Sequence, residues 1–157
     1  MTRLRGRALR GDRVLGHAPH GHWNSTTMIG AMRLDGSTAC MTVDGATDRE
    51  VFEVYVRQIL CPMLRPGDVV VMDNLSPHKS PASLSFIAQA GAQVRFLPAY
   101  SPDLNPIEQM WSKIKTTLRS LEARTQPSLI AAIGRALEGV TCQDIINWFA
   151  HCGYNFI

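Results

Sequence analysis

The feature that most constrains the fold is a short apolar run, VVVM, that lies between Asp68 and Asp73. A strand with one solvated face would alternate apolar and polar residues, and this run does not. A continuous run of this length, placed after a Pro66-Gly67 turn, is typical of a strand buried on both faces. It therefore predicts a buried strand of an α/β fold, with Asp73 at its carboxyl end.

The segments around this strand alternate between strand and helix patterns. Residues 26–34 and 37–43 are strand-like and flank Asp35-Gly36, a pair that favours a type I′ hairpin turn. The remaining predicted elements are a helix capped by Thr47 and Glu50 that stops near Pro62, a helix from Ser80-Pro81 to Gly91, a strand at 94–97, and helices that begin at Asn105-Pro106, near Thr125 and near Thr141. A hairpin, then alternating strands and helices, then a helical last third, predicts a mixed α/β architecture.

Composition excludes several classes of protein. The 157 residues suit one globular domain, and 45% hydrophobic with 18% charged residues is ordinary for a folded chain. No run of about eighteen apolar residues occurs and no apolar segment follows Met1, so we expect a cytoplasmic protein without membrane contact. The four cysteines have no close metal-type pairing, and we interpret them as reduced thiols.

Residues 1–25 are predicted to form an extended basic arm, and residues 26–157 the folded core. Against one acidic residue, Asp12, the first thirteen residues contain Arg3, Arg5, Arg7, Arg10 and Arg13. Such an arm is either solvated or neutralises DNA phosphates, since Arg combines a permanent charge with bidentate geometry. The sequence leaves both interpretations open.

Two carboxylates occupy positions from which they could act together. Asp73 ends the apolar strand, where side chains of α/β sheets emerge into a crevice, although an Asp there can equally begin a turn. Glu108 follows Asn105 and Pro106 at the spacing of a helix capping box, which is a structural alternative. Capping and catalysis are compatible, because a first-turn Glu can turn its carboxylate outward.

At this point the sequence closely resembles the mariner-related superfamily of DDE transposases, and in particular its bacterial insertion-sequence branch. The resemblance is carried by VVVMDN with His78 shortly after, by FLPAYSPDLNPIEQMWSKIK, and by the 34 residues that separate Asp73 from Glu108. It extends from about residue 20 to the end, where GHWNSTT and HCGYN are also similar. The segment from Tyr100 to Glu108 is its most specific part.

The resemblance implies a ribonuclease H-like fold, DNA cleavage and strand transfer, and a catalytic triad of Asp, Asp and Glu. Asp73 then corresponds to the second carboxylate and Glu108 to the third, and both would hold Mg²⁺, with Mn²⁺ as a substitute. Two such ions, roughly 3.5–4 Å apart, stabilise the attacking and leaving oxygens of phosphodiester chemistry. Mg²⁺ prefers oxygen ligands, so a few convergent carboxylates suffice.

The first carboxylate of that triad has no good candidate in the sequence. In the resembling family it lies on the central first strand, and no apolar strand ending in Asp precedes residue 26. Asp12 lies in an Arg/Gly-rich stretch, whereas Asp35 and Asp44 are interpreted as turn residues. We therefore expect that this strand belongs to an upstream transposase segment and that the chain alone is inactive.

Other polar residues are candidates for supporting roles. Asn74 and His78 could orient the carboxylates or contact DNA, although His78 could be a plain loop residue. Lys113, Lys115 and Arg119 are either a solvated helical face or phosphate contacts.

A second group of candidates is a histidine cluster near the arm. His17, His20 and His22 lie beside Trp23, but no Cys or carboxylate pattern supports a zinc site there. We interpret this segment as a polar loop.

Three functions remain open on the sequence alone. The first is a DNA-cutting and DNA-joining core that acts on transposon ends and target DNA. The second is a non-catalytic DNA-binding or dimerisation remnant of a transposase, with a homodimer as the expected assembly. The third is a phosphate-acceptor domain with Asp73 as the acceptor, which would need an early acidic pair that the sequence lacks.

Overall fold

The computed structural model describes residues 6–16 and 25–154, which form two small sheets and five α-helices around two apolar cores. The strands are β1 (Thr26–Met32), β2 (Thr38–Asp44), β3 (Val69–Met72) and β4 (Gln93–Phe96). The helices are α1 (Arg49–Tyr55), α2 (Pro81–Gln89), α3 (Ile107–Leu121), α4 (Gln126–Glu138) and α5 (Cys142–His151). The predicted mixed α/β class is confirmed.

The hairpin of β1 and β2 is antiparallel and in full register, from Thr26 opposite Asp44 to Met32 opposite Thr38. Its turn differs from the predicted type I′ turn, which needs positive φ at both central residues. Only Gly36 has positive φ, at 94°, and the amide of Ser37 donates to the Asp35 carboxylate at 3.0 Å. The Asp-Gly pair therefore predicted the position of the turn correctly but not the type of turn.

The second sheet pairs β3 with β4 in parallel, from Val69 opposite Gln93 to Met72 opposite Phe96. The prediction that β3 is buried on both faces was wrong. Val69 and Val71 are 55% and 37% exposed, whereas Val70 and Met72 face the first core. The reason is that the helices of the described residues cover only one face of this two-stranded sheet.

The first core lies between α1, α2 and the two sheets. Phe52, Tyr55, Val56 and Leu60 are buried there against Ile87 of α2. The Tyr55 hydroxyl donates to the carbonyl of Ala39 at 3.0 Å, which fixes the helix to the hairpin.

Helix α1 begins one residue later than its sequence suggested. The side chain of Asp48, and not that of Thr47, accepts the capping hydrogen bond from the amide of Val51 at 2.9 Å. After α1 the chain continues through a π-helical turn, Val56–Leu60, and a 3₁₀ turn, Cys61–Met63. The predicted stop near Pro62 is thus confirmed, whereas the predicted capping box is wrong.

The second core is formed by the last three helices and one face of the hairpin. Buried residues of α3 (Met110, Ile114, Leu118) pack against buried residues of α4 (Ala132, Ile133, Ala136). Helices α4 and α5 begin where predicted, and the structure shows a capping box at each start, at Thr125 and at Thr141. Trp111 of α3 lies so close to Gly30 of β1 that a Cβ atom there would require a neighbouring atom to shift.

An ion pair connects the two sheets. Arg33, just after β1, makes two hydrogen bonds to Asp68, just before β3, one of them at 2.7 Å. This guanidinium and the amide of Arg65 lower the pKa of Asp68 to about 2. The pair holds the start of β3 beside the end of the hairpin, although the two sheets share no strand pairing within the described residues.

Candidate active site

One cleft of about 640 Å³ gathers the carboxyl ends of β3 and β4 and the start of α3. Both predicted catalytic residues, Asp73 and Glu108, line it. Its other lining residues are Asn74, Leu75, Lys79, Leu97, Pro98, Ala99, Tyr100, Ser101, Pro102 and Asn105. The structure therefore places two acidic side chains, separated by 34 intervening residues in sequence, in the same crevice.

Asp73 is positioned by the loop that follows β3. Its Oδ1 accepts a hydrogen bond from the amide of Leu75 at 3.1 Å and lies 2.7 Å from Nδ1 of His78. The His78 ring in turn packs on Phe52, with ring centroids 4.5 Å apart. The contact becomes an ion pair when the imidazole is protonated, although its atoms are not aligned for a hydrogen bond. Asp73 thus takes part in a turn, which was the structural alternative for this residue, and it also lines the cleft.

Glu108 lies in the first turn of α3 and is exposed to the cleft. The predicted capping box with Asn105 is wrong, because the cap residue is Pro106 and no side chain caps this helix. The amide of Glu108 donates instead to the carbonyl of Asn105 at 3.1 Å. The positive end of the helix dipole favours a carboxylate at this position. The side chain is therefore not engaged in capping.

Asn74 connects the two strand ends that form the floor of the cleft. Its side-chain amide donates to the carbonyl of Leu97, which directly follows β4. This bond holds the loop after β3, and with it Asp73, against the end of β4. The structure thus gives Asn74 an orienting contact.

The cleft contains a cationic residue that the sequence analysis missed. Lys79 lines the cleft, and its Nζ lies 5.9 Å from the centre of the Phe96 ring. A lysine beside two carboxylates offsets their mutual repulsion and can attract a phosphate. The only sequence signal for it was its place directly after His78.

A second missed residue is Tyr100, at the rim of the cleft. Its φ is 57°, in the left-handed region, and its side chain is fully exposed. That conformation costs a non-glycine residue about 1–2 kcal/mol. In the sequence Tyr100 was only the first residue of the motif that ends at Glu108.

The three cations that were predicted to form one basic face of α3 do not all lie on the same side of the helix. Lys115 is exposed and Arg119 half-buried, and both lie on the side of the helix that carries Glu108. Lys113 lies elsewhere, because its Nζ pairs with Asp144 of α5 at 2.6 Å. The three cations therefore do not form one face, and a DNA contact by Lys113 stays a prediction.

The arm is only partly described. Arg7, Arg10 and Arg13 are exposed, as are all of residues 6–16. Arg3 and Arg5 lie outside the described residues, and so does the histidine cluster with Trp23.

The described residues offer no third carboxylate in the cleft. All 13 acidic residues of the sequence fall within the described ranges, and Asp73 and Glu108 are the two that line it. Asp12 and Asp44 are exposed elsewhere, and Asp35 is held by Ser37 and Arg33 in the hairpin turn. Residues 6–16 and 25–154 accordingly contain no group of three His, Cys, Asp or Glu that could hold a metal ion.

Comparison with known families places the chain in a class. A family model described as DDE superfamily endonuclease matches residues 1–130. Because this match covers most of the 157 residues, the chain belongs to the DDE superfamily of endonucleases.

One relative indicates which type of protein within this superfamily the chain is similar to. The Transposable element Tcb1 transposase of Caenorhabditis briggsae is 27% identical over 100 residues. The alignment covers 61% of this chain and 37% of that protein, so the chain spans little more than a third of its relative. The chain is thus weakly similar to a transposase of the Tc1/mariner type. Within the described part of the chain, every helix is too short or too polar to cross a membrane.

Proposed function

We propose that this chain forms part of the catalytic core of a transposase that cleaves and rejoins DNA at the ends of a bacterial insertion sequence. The proposal rests mainly on one observation: Asp73, which follows β3, and Glu108, in the first turn of α3, line the same cleft. A ribonuclease H-like fold is the architecture that we propose for the complete core. The proposed location is the cytoplasm, with transposon-end and target DNA as partners.

The donor groups of the cleft fit Mg²⁺ in kind but are too few. Two carboxylates and the amide oxygen of Asn74 are hard ligands of the sort that Mg²⁺ or Mn²⁺ prefers. Bound between Asp73 and Glu108, the ions would activate the nucleophile and stabilise the leaving oxygen. We propose that a third carboxylate comes from outside the described residues, on a strand of an upstream transposase segment.

The open strand edges support this part of the proposal. Within the described residues β1 pairs only with β2, and β3 pairs only with β4. Each strand therefore leaves its outer edge with free backbone groups, which a further strand would satisfy. The Arg33–Asp68 pair keeps the end of β1 beside the start of β3, so one strand could serve both edges.

The chain's own residues have separable tasks in such a site. The Leu75 amide holds one oxygen of Asp73 in place with His78 beside it, and the N-terminus of α3 favours a charged Glu108. Lys79 adds positive charge where a DNA phosphate would enter. A phosphodiester could therefore be oriented before any bond is broken.

The second candidate is a non-catalytic DNA-binding or dimerisation remnant of a transposase. Two observations favour it over an active enzyme, namely the two-carboxylate cleft and the exposed basic arm. On this hypothesis the chain binds DNA through the arm and never cuts it, with or without an upstream segment.

A plasmid-nicking assay separates the two functions. The chain as given is compared with a version extended by the upstream segment, each in Mg²⁺ and in Mn²⁺ and each with a Glu108→Gln variant. We expect no nicking by the chain as given, and metal-dependent nicking by the extended version that Glu108→Gln abolishes. No nicking by the extended version would favour the remnant. Robust nicking by the short chain would refute the proposed third carboxylate, and Asp12, Asp35 and Asp44 would then be tested in that role.

A further inference from the structure

The least explained side chain in the structure is that of Tyr100. Its relative exposure is 101%, so the ring gains nothing from packing within the protein. Its φ of 57° is a conformation that glycine or asparagine adopts at much lower cost. A bulky aromatic residue that is both strained and fully solvated points to a contact made with another molecule.

The position of Tyr100 indicates what that molecule is. Tyr100 lines the cleft that contains Asp73 and Glu108, and Lys79 lines the same cleft. A cleft of about 640 Å³ has the size of a small-ligand site, which suits a few nucleotides better than an intact duplex. An exposed aromatic ring beside a cation is the combination by which proteins hold unpaired nucleotides, with stacking on the base and charge on the phosphate.

We propose that Tyr100 is a stacking platform for an unpaired nucleobase of the DNA substrate at the mouth of the cleft. This proposal rests on the proposed function and adds to it a substrate class, namely DNA whose bases next to the reacting phosphate are unpaired. Tyr100 is a positioning residue, because its ring would hold the strand while other groups act on the phosphate.

The test compares two DNA ligands that differ in one feature. One is a duplex with a short unpaired segment that contains 2-aminopurine, and the other is the same duplex fully paired. Binding of the full chain to each is measured by anisotropy in EDTA at low salt, and stacking by quenching of the 2-aminopurine fluorescence. Stacking on an aromatic side chain strengthens binding by about fivefold or more per base, so the unpaired ligand should bind at least about fivefold more tightly.

Two variants isolate the ring. Tyr100→Phe keeps the ring and should keep both the preference and the quenching. Tyr100→Asn removes the ring but tolerates positive φ, so it should fold at least as well as the parent chain. It should lose the preference for unpaired DNA while affinity for the paired duplex stays unchanged. An unchanged affinity ratio in Tyr100→Asn would overturn the proposal, and so would a changed self-association, since the ring would then serve a protein contact.

A separate measurement tells this failure from failure of the metal site. Mn²⁺ binding to the chain is followed by electron paramagnetic resonance, with Glu108→Gln as the control for the cleft. Mn²⁺ binding that depends on Glu108, together with an unchanged ratio in Tyr100→Asn, would reject the stacking role alone. A ring-dependent preference without Mn²⁺ binding would instead reject the two-metal proposal and retain the stacking role.

Discussion

The close approach of Gly30 and Trp111 connects the hairpin to the helix that carries Glu108. A Cβ atom on Gly30 would lie 2.8 Å from Cη2 of Trp111 and 2.8 Å from Sγ of Cys40. Both distances are shorter than any normal carbon contact, and an indole ring packed in a core cannot turn away as a flexible chain end could. Gly30→Ala should therefore push β1 and α3 apart.

The expected cost follows from two opposing effects. Overpacking a well-filled core destabilises by about 1–3 kcal/mol. Alanine also gains about 0.5–1 kcal/mol over glycine in a strand, because glycine loses more backbone entropy on folding. The net loss in the free energy of unfolding should be about 0.5–2 kcal/mol. At a urea slope of about 2 kcal/mol/M, the midpoint should fall by about 0.25–1 M.

The chain provides a matched control at Gly134 in α4. A Cβ atom there meets no other atom within 4 Å, so Gly134→Ala should raise the free energy of unfolding by about 0.5–1 kcal/mol. The double variant Gly30→Ala with Trp111→Phe should be less destabilised than the sum of its parts by more than about 0.5 kcal/mol. If Gly30→Ala and Gly134→Ala shift the urea midpoint in the same direction, the packing of Trp111 against the hairpin is wrong.

Three further outcomes are expected from the charged residues. Asp144→Asn should remove a stabilisation that is complete above pH 4 and lost as pH falls to about 2, because Lys113 and Thr141 hold the pKa of Asp144 at about 2 against 3.8. After allowance for solvent screening, acid unfolding of the two proteins should differ by about 1 kcal/mol above pH 4 and converge near pH 2. Deletion of residues 1–13 should reduce the slope of log affinity for DNA against log salt by up to about 4.5, because each phosphate-bound arginine contributes about 0.9. An unchanged slope would show that the arm touches no phosphate. Lys115→Gln should reduce that slope by about 0.9, whereas Lys113→Gln should lower stability and leave the slope unchanged.

Local chemistry made several elements predictable from sequence. The starts of α2, α4 and α5 were correct because Ser80, Thr125 and Thr141 satisfy amides only three residues away. The start of α1 was missed by one residue because Thr47 and Asp48 are both good caps, and the backbone decides between them. The turn type of the hairpin failed for a related reason, since Asp-Gly also suits a three-residue loop with only the glycine at positive φ.

Properties that depend on distant partners were less predictable. The VVVM run suggested a strand covered on both faces, but coverage is set by whatever packs there, and Val69 and Val71 are exposed within the described residues. The different positions of Lys113 and Lys115 around α3 likewise matter only through the partners that each side chain meets. Lys113 precedes Lys115 by only two positions, but a step of two residues corresponds to a rotation of about 200° around a helix, so the two side chains lie on different sides. Lys113 therefore meets Asp144 of α5, which no local pattern could reveal.

The cleft itself shows why the sequence could identify its carboxylates but not their neighbours. Asp73 and Glu108 are specified by a motif, whereas Lys79 and Tyr100 reach the cleft only because β3, β4 and the start of α3 converge. Two carboxylates in one crevice repel each other, and pairing them with each other would stabilise nothing. The fold nevertheless supports both, through the Leu75 amide for Asp73 and the N-terminus of α3 for Glu108. In the proposed function, a divalent cation that both carboxylates share would offset this repulsion.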